Sequence, residues 1–545
     1  MNKTKTILIK VLLSAIAIFL GYWFMLPPLN LRSSEMYTFI IFAIIAVTVI
    51  CSFTRVLFHV KPVADSYKKI SFKGFKKLNI FTKIAILSVG LIALVLIVGN
   101  IIGAQFFNAS RYNKLITMED GDFSSEVSEI GMDQIPVVDK DTASRLGQRK
   151  LGEMADLVSQ FEIEGLYTQI NYKGRPVRVT PLRYGDAIKW LGNQNQGIPA
   201  YITVDMATQE TALIRLNDGI KYSESEYFMR DLMRKLRFSY PTKIFDEVSF
   251  EIDDNGTPYW VASTVEYKIG IFSGKDIGGA VLLNAQTGES RYYDIEEIPT
   301  WVDQVYSSDM ILTQLMYNGK YRSGWLNSLF GQKGVLQPTD GYNYLAINDD
   351  VWLYTGITSV TSDESNVGFV LTNLRTKETR YYPVPGAEEY SAMSSAEGQV
   401  QHLSYRATFP LLLNVADRPS YFMALKDSAG LVKMYAFVDV QQYQIVGTGS
   451  TVEESRQDYL NKLKKENVNT TQVEATTVSA IVSKVSSAVV DGNTCYYILL
   501  EDNNQVFTIP VSLSDRLPFL SVGDTVTVSY FDENGKITVT AVEIN

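Results

Sequence analysis

Cysteine and histidine are almost missing: Cys51, Cys495, His59 and His402 are the only ones in 545 residues. No C-x-x-C pair occurs, so neither a zinc ribbon nor a thioredoxin-type centre is encoded. H-E-x-x-H, the Walker loop, G-x-S-x-G and the D-x-D-x-D-G calcium loop are absent as well. Ser66–Lys69 fits S-x-x-K by letters alone, and a sortase-like centre would need Cys495 beside His402, which is read as part of a strand in a different segment. Neither cofactor nor metal is expected, and no catalytic residue is assigned. Acidic pairs do occur (Asp253/Asp254, Glu296/Glu297, Asp349/Asp350, Glu388/Glu389), but adjacent carboxylates on turns are ordinarily solvated.

Acidic residues are scarce at one end only. Residues 1–106 carry 12 Lys/Arg against Glu35 and Asp65, leaving 38 basic and 57 acidic residues beyond them. The larger part is therefore acidic and lacks a basic stripe, which excludes a nucleic-acid partner.

Three apolar runs open the chain, at Ile7–Leu26, Tyr37–Phe53 and Ile80–Phe107. Each approaches or exceeds the ~20 residues that span a bilayer, with no ionisable residue at mid-span. "GYWFMLPPLN" lacks a small-x-small cleavage site, so a retained first span is expected rather than a signal peptide. Lys61, Lys68, Lys69, Lys73, Lys76 and Lys77 lie between spans two and three, whereas Asn30–Met36 carries only Arg32 and Glu35. The positive-inside rule then places the N-terminus in the cytoplasm and everything after about residue 107 outside. Gly99 and Gly103 form a Gly-x-x-x-Gly spacing, a candidate helix-association face through which a homo-oligomer would form.

The acidic part repeats itself. "NAQTGESRYY" (Asn284–Tyr293) and "NLRTKETRYY" (Asn373–Tyr382) read as strand, turn and tyrosine-rich strand, with looser copies at Asp205 and Asp439. Asn and Thr at this spacing bond the local backbone through a tight turn. "SESEYFMRDLMRKLRF" predicts a helix opened by a Ser223–Glu226 capping box, with Phe228, Leu232 and Leu236 in one stripe. A second box, Thr451–Glu454, opens "TVEESRQDYLNKLKKEN", and "DTASRLGQRKLGEMADLVSQF" predicts a helix striped by Leu151, Met154, Leu157, Val158 and Phe161.

A helix followed by strands and a V-[DN]-x-x-T-G-E hairpin resembles a PepSY-like module, most clearly over Ser223–Tyr293. The resemblance implies a helix on an antiparallel sheet and a regulatory or sensing role at a cell envelope; it carries no catalytic motif. The second copy departs from it in having Lys377 where glycine is usual and no evident leading helix.

Beyond the polar linker "ENVNTTQVEATT", five β-rich runs with a helical turn between the third and fourth resemble an OB-fold barrel. Val473–Asn545 holds only Lys484, Arg516 and Lys536 against nine acids, so a nucleic-acid-binding barrel is excluded.

The fold class expected is α+β. A transmembrane anchor over 1–107 precedes a first ectodomain segment over 108–222, a PepSY-like module over 223–300 and a second PepSY-like region over 301–466. An OB-like barrel over 473–545 ends the chain. Trp301, Trp325 and Phe330 are the candidate partner patch, read against the alternative that they are core. The expected function is a non-catalytic envelope scaffold, binding or regulatory protein, partnered by the bilayer and by another envelope protein. Alternatives are a glycan-acting enzyme using an acidic pair, or a subunit of a transport or secretion complex.

Overall fold

The computed structural model describes residues 3–59, 80–131, 134–360, 362–466, 476–490, 493–501, 503, 505–533 and 536–544. The basic run Lys61–Lys77, most of the 466–477 linker and the turns Asp491–Gly492 and Asn534–Gly535 lie outside these residues. Two compact units are distinguished: Met1–Val415 with Pro419–Lys465, and Glu466–Asn545 with Ala416–Arg418.

Three helices, α1 (Lys3–Met25), α2 (Ser34–His59) and α3 (Ile80–Ile102), contain stretches long and apolar enough to cross a membrane. Their side chains are largely exposed, as expected of surfaces made for lipid. The third apolar run is not one helix to Phe107: the chain breaks at Gly103–Ala104 and resumes as α4 (Gln105–Asn113).

Four antiparallel units follow, each preceded by a helix. Helix Lys140–Gly152 leads into the sheet 161–220, and helix Leu232–Ser239 into the sheet 245–294. Helix Ser308–Lys320 leads into a sheet built mainly from 336–387, which adds Glu119–Asp120 as a parallel edge strand. Helix Glu389–Gln399 leads into the sheet 406–449, closed by helix Val452–Lys465. Ser308–Lys320, the helix absent from the sequence reading, lies in one apolar core with two sheets. Met310, Ile311 and Leu315 pack with Val261, Ala280 and Leu282 of the second sheet and with Val351, Leu353 and Val370 of the third.

The repeated hairpins have the same bonding. Asn284 Oδ1 accepts from the backbone N–H of Gln286 and Thr287, both at 2.9 Å, and Thr287 Oγ1 accepts from Glu289 at 3.2 Å. Asn373 Oδ1 accepts from Arg375 (2.8 Å) and Thr376 (3.0 Å), and Thr376 Oγ1 from Glu378 at 3.2 Å. Asp205 repeats the set with Ala207, Thr208 and Glu210, and Asp439 repeats its first two bonds with Gln441 and Gln442. Turn chemistry thus sets the same hairpin in all four units.

Three local expectations are corrected. The Ser223–Glu226 box does not open a helix. Asp231 caps Leu232–Ser239 instead, and Phe228, with φ of 54°, leaves the stripe that Leu232 and Leu236 keep. The helix from residue 140 ends at Gly152, with Phe161 already in a strand and Val158 exposed. His402 sits in a 3-10 turn, Gln401–Leu403, not in a strand. Thr451 does cap its helix, through Glu454 N–H at 3.1 Å.

In the second unit five strands run in the order Val506–Pro510, Asn493–Leu500, Thr476–Val490, Thr525–Glu533 and Lys536–Ile544. Val482, Ile498, Phe507, Val526 and Val528 form its core. Among the described residues no hydrogen-bonded pairing closes this sheet into the expected barrel. The helical turn between the third and fourth strands is present as two 3-10 turns, Val511–Leu513 and Leu517–Phe519.

Candidate functional site

In the first unit the connector 26–33 between α1 and α2 is fastened by direct contacts to the helix and sheet that span 232–294. Arg237 Nε donates to the Leu26 carbonyl at 2.9 Å, Leu29 N–H to Pro241 at 2.6 Å, and Arg32 Nη1 to Tyr267 at 2.8 Å. Gly99 and Gly103 face the hairpin tip of the second sheet. An added Cβ would come 2.5 Å from the Phe272 ring at Gly99 and 2.3 Å from Ser273 Oγ at Gly103. Within this chain, these glycines admit the hairpin tip of the second sheet against α3.

Trp301 packs on the shared core and on Tyr259, at 5.0 Å between ring centroids. Trp325 packs on a separate cluster that includes Tyr112 and Tyr321, and its ring meets Phe106 at 4.6 Å. Phe330 lies on the surface, 82% exposed. Trp301 and Trp325 are therefore anchored in different clusters, and Phe330 alone stands clear of both.

A site the sequence reading missed lies among the first three sheets, as a cavity of about 520 Å3. Arg178, on strand Arg175–Tyr184, borders it and also borders a second cavity of about 190 Å3. Arg178 is only 7% exposed. Its Nη1 donates to the Tyr167 carbonyl at 3.1 Å and its Nη2 to Gln169 Oε1 at 3.3 Å, while Nε has no acceptor. Burial pulls the guanidinium below its usual range, partly offset by Tyr344, Asp139 and Tyr342. Asp139 is already engaged, capping helix Lys140–Gly152 and pairing with Lys426. Arg178 therefore carries a buried charge with no carboxylate bonded to it, an arrangement that favours an incoming anion.

The lining also carries three acids, Asp246, Glu247 and Asp309, and one lysine, Lys140. Asp246 pairs with Lys275. Burial, then Asp246 and Asp309, push the Glu247 carboxyl above the usual carboxylate range, with Lys275 opposing.

A buried acidic pair holds the loop that forms the cavity floor. Glu251 Oε2 accepts from Asp303 N–H at 2.8 Å, and its Oε1 accepts from Gln304 N–H at 3.1 Å and from Ser249 Oγ at 2.8 Å. Asp303 Oδ2 accepts from Asn171 N–H at 2.6 Å, and Oδ1 has no donor. Gln304 passes the network on by donating to the Gln169 carbonyl at 2.9 Å. Burial pushes Glu251 up to about 7 and raises Asp303 as well, Glu251 adding repulsion. Among the described residues no cluster of His, Cys, Asp and Glu could hold a metal ion.

Neither a protein-family model nor a curated protein matches the sequence.

Proposed function

We propose that this chain is a membrane-anchored, extracytoplasmic binding or scaffold protein of a cell envelope, non-catalytic, with tandem PepSY-like modules and an OB-like final module. The observation that carries the reading is the uncompensated buried Arg178 beside the cavity of about 520 Å3, in an ectodomain fastened to the connector between the first two apolar helices. A buried cation sharing a lining with Asp246, Glu247 and Asp309 suits a ligand bearing both charges, such as a peptide segment or terminus of a partner envelope protein. Four repeats of one hairpin support recognition by a sheet surface, since repeated units stack into extended binding faces. The basic loop between spans two and three supports the cytoplasmic placement of the N-terminus.

Photo-cross-linking in intact cells from position 342, at the cavity lining, followed by mass spectrometry, checks this. A discrete protein adduct that disappears with Arg178→Met, while the spans still insert, is the expected result. Equal adducts with and without Arg178 would remove the cavity from the reading.

A second reading rests on the raised carboxyl of Glu247 beside Asp246: a glycan-acting site in which Glu247 donates a proton. Incubation with cell-wall polymer separates the two, because turnover abolished by Glu247→Gln supports only the enzyme.

A further inference from the structure

Beyond Phe107, every large apolar side chain among the described residues of the first unit that is more than 60% exposed lies in one of two places. One holds Ile188, Leu191 and Phe228; the other holds Leu326 and Phe330. Both connect to the ends of the apolar helices.

The first projection is built on the helix Ala187–Asn193 and the turn at Tyr227–Met229. Trp190 lies between them, its ring 4.7 Å from Tyr227 and 6.2 Å from Phe228, and its Nε1 donates to Glu226 Oε2 at 2.7 Å. Glu226 also accepts from Tyr184 Oη, so the indole is fixed from behind. Phe228 takes a left-handed backbone that disfavours side chains, and its ring is exposed all the same. The link to α1 is Arg234, which donates to the Phe228 carbonyl at 2.7 Å and lies 4.5 Å over the ring of Trp23.

The second projection is the π-helical turn Asn327–Gly331, with Leu326, Leu329 and Phe330 outward. Asn327 ties the turn to both backbone groups of Lys333, and Ser328 Oγ donates to the Trp325 carbonyl at 2.7 Å. These bonds hold the apolar residues out without a protein partner. The link to α3 is Trp325 against Phe106, which with the exposed Phe107 follows directly on the break that ends α3.

Charge agrees with position at the second projection. The acidic ectodomain has no Asp or Glu from residue 310 to 339, a stretch that carries Lys320, Arg322 and Lys333. At the first projection Lys189, Arg230 and Arg234 stand among Asp186, Glu224, Glu226 and Asp231, with Lys189 paired to Asp186 and Arg234 to Asp231, so no basic excess remains there. Apolar tips suit an interface whose interior is hydrocarbon, and the basic flank of the second suits anionic headgroups.

We infer that the Ile188/Leu191/Phe228 and Leu326/Phe330 projections seat in the lipid leaflet on the ectodomain side, beside the ends of α1 and α3. The inference rests on the membrane-anchor reading. Both projections would hold the ectodomain flat against the bilayer and fix the height of the Arg178 cavity above it.

The full chain, with Cys51 and Cys495 replaced by serine, receives single cysteines by Met229→Cys, Leu329→Cys, Leu431→Cys or Leu94→Cys. Each is labelled with an environment-sensitive nitrobenzoxadiazole dye in phosphatidylcholine/phosphatidylglycerol nanodiscs. Lipids spin-labelled at acyl carbon five should quench positions 229 and 329 at least twofold, with blue-shifted emission, and should leave 431 unchanged. Position 94, within α3, should be quenched in any case; its failure would overturn the anchor reading along with this one. Quenching at 94 with 229 and 329 behaving like 431 would overturn the seating alone. Blue shift at 229 and 329 without quenching would also overturn it, by assigning the projections to a protein or a second copy.

Discussion

The hairpins at Asn284 and Asn373 share their backbone bonds but differ at the residue after the threonine pair position: Gly288 in one, Lys377 in the other. Both are left-handed, with φ of 75° and 64°. At Gly288 an added Cβ would lie 2.2 Å from the Tyr222 ring, so a neighbour as well as the backbone demands glycine. Lys377 has room, and its ammonium pairs with Asp276 at 2.6 Å and donates to the Leu115 carbonyl at 3.1 Å. Asp276 lies on the strand that leads into the Asn284 turn, so the strained lysine binds one module to the other. A repeat keeps its turn through local bonds and differentiates at side chains those bonds leave free.

The largest effect expected from breaking this comparison is at Lys377. Lys377→Gly relieves a left-handed side chain, worth about 1 kcal/mol, but leaves Asp276 without its cation, which costs about 3 kcal/mol or more in a mostly buried pair. The net loss should appear as a lower denaturation midpoint of the full chain in detergent. A variant as stable as the native chain would show the modules to be held by their apolar core alone.

The two modules also differ in how they treat an acid. Asp350 of the third sheet is met by Arg375 at 2.7 Å, whereas Glu251 of the second is bonded only to N–H and O–H groups. A carboxyl whose pKa rises on folding contributes stability present below the unfolded value of about 4.5 and lost as pH passes its folded value. For Glu251 that loss runs from about pH 4.5 through about 7 and is on the order of 3 kcal/mol at most. Asp303 adds a change of the same sign. Glu251→Gln should flatten the fall in unfolding midpoint between pH 5 and 8; a variant that keeps the native slope would place the titration elsewhere.

Gly288→Ala comes next, at about 2 kcal/mol, from the left-handed backbone and the approach of Tyr222. Adding Tyr222→Ala should return the part due to the clash, measured by the same midpoint.

What was legible in the chain follows from the range of the forces involved. The hairpins were readable because Asn and Thr bond groups two or three residues away, and the apolar helices because length and hydropathy are local properties. Helix Ser308–Lys320 was not, because it is packed between two sheets and lacks the single polar face that marks a surface helix. Phe228 was misread for the opposite reason: its spacing from Leu232 and Leu236 fits a stripe, but the helix is capped by Asp231, about two turns beyond Ser223. The cavity depended on tertiary placement, joining Arg178, Gln169, Glu247 and Gln304 from separate parts of the chain. Its one sequence signal was Arg178, the single charged residue in the run from Pro176 to Leu182 that the fold buries.

The smallest effect is the sharpest measure of whether the two turns are equivalent. Thr287 and Thr376 each accept one backbone N–H at 3.2 Å in an exposed setting. Valine at either position keeps the β-branched shape and removes the acceptor, at a cost of about 0.5 kcal/mol, since water replaces an exposed partner cheaply. Global stability barely registers such a change, but amide exchange does. Thr287→Val should speed exchange at Glu289, and Thr376→Val at Glu378, each by about twofold. Equal accelerations mean that the turn is set by the same local bonds whichever side chain follows the threonine. A smaller change at Glu378 would mean that Lys377, by gripping Asp276, holds its hairpin shut when the threonine bond is gone.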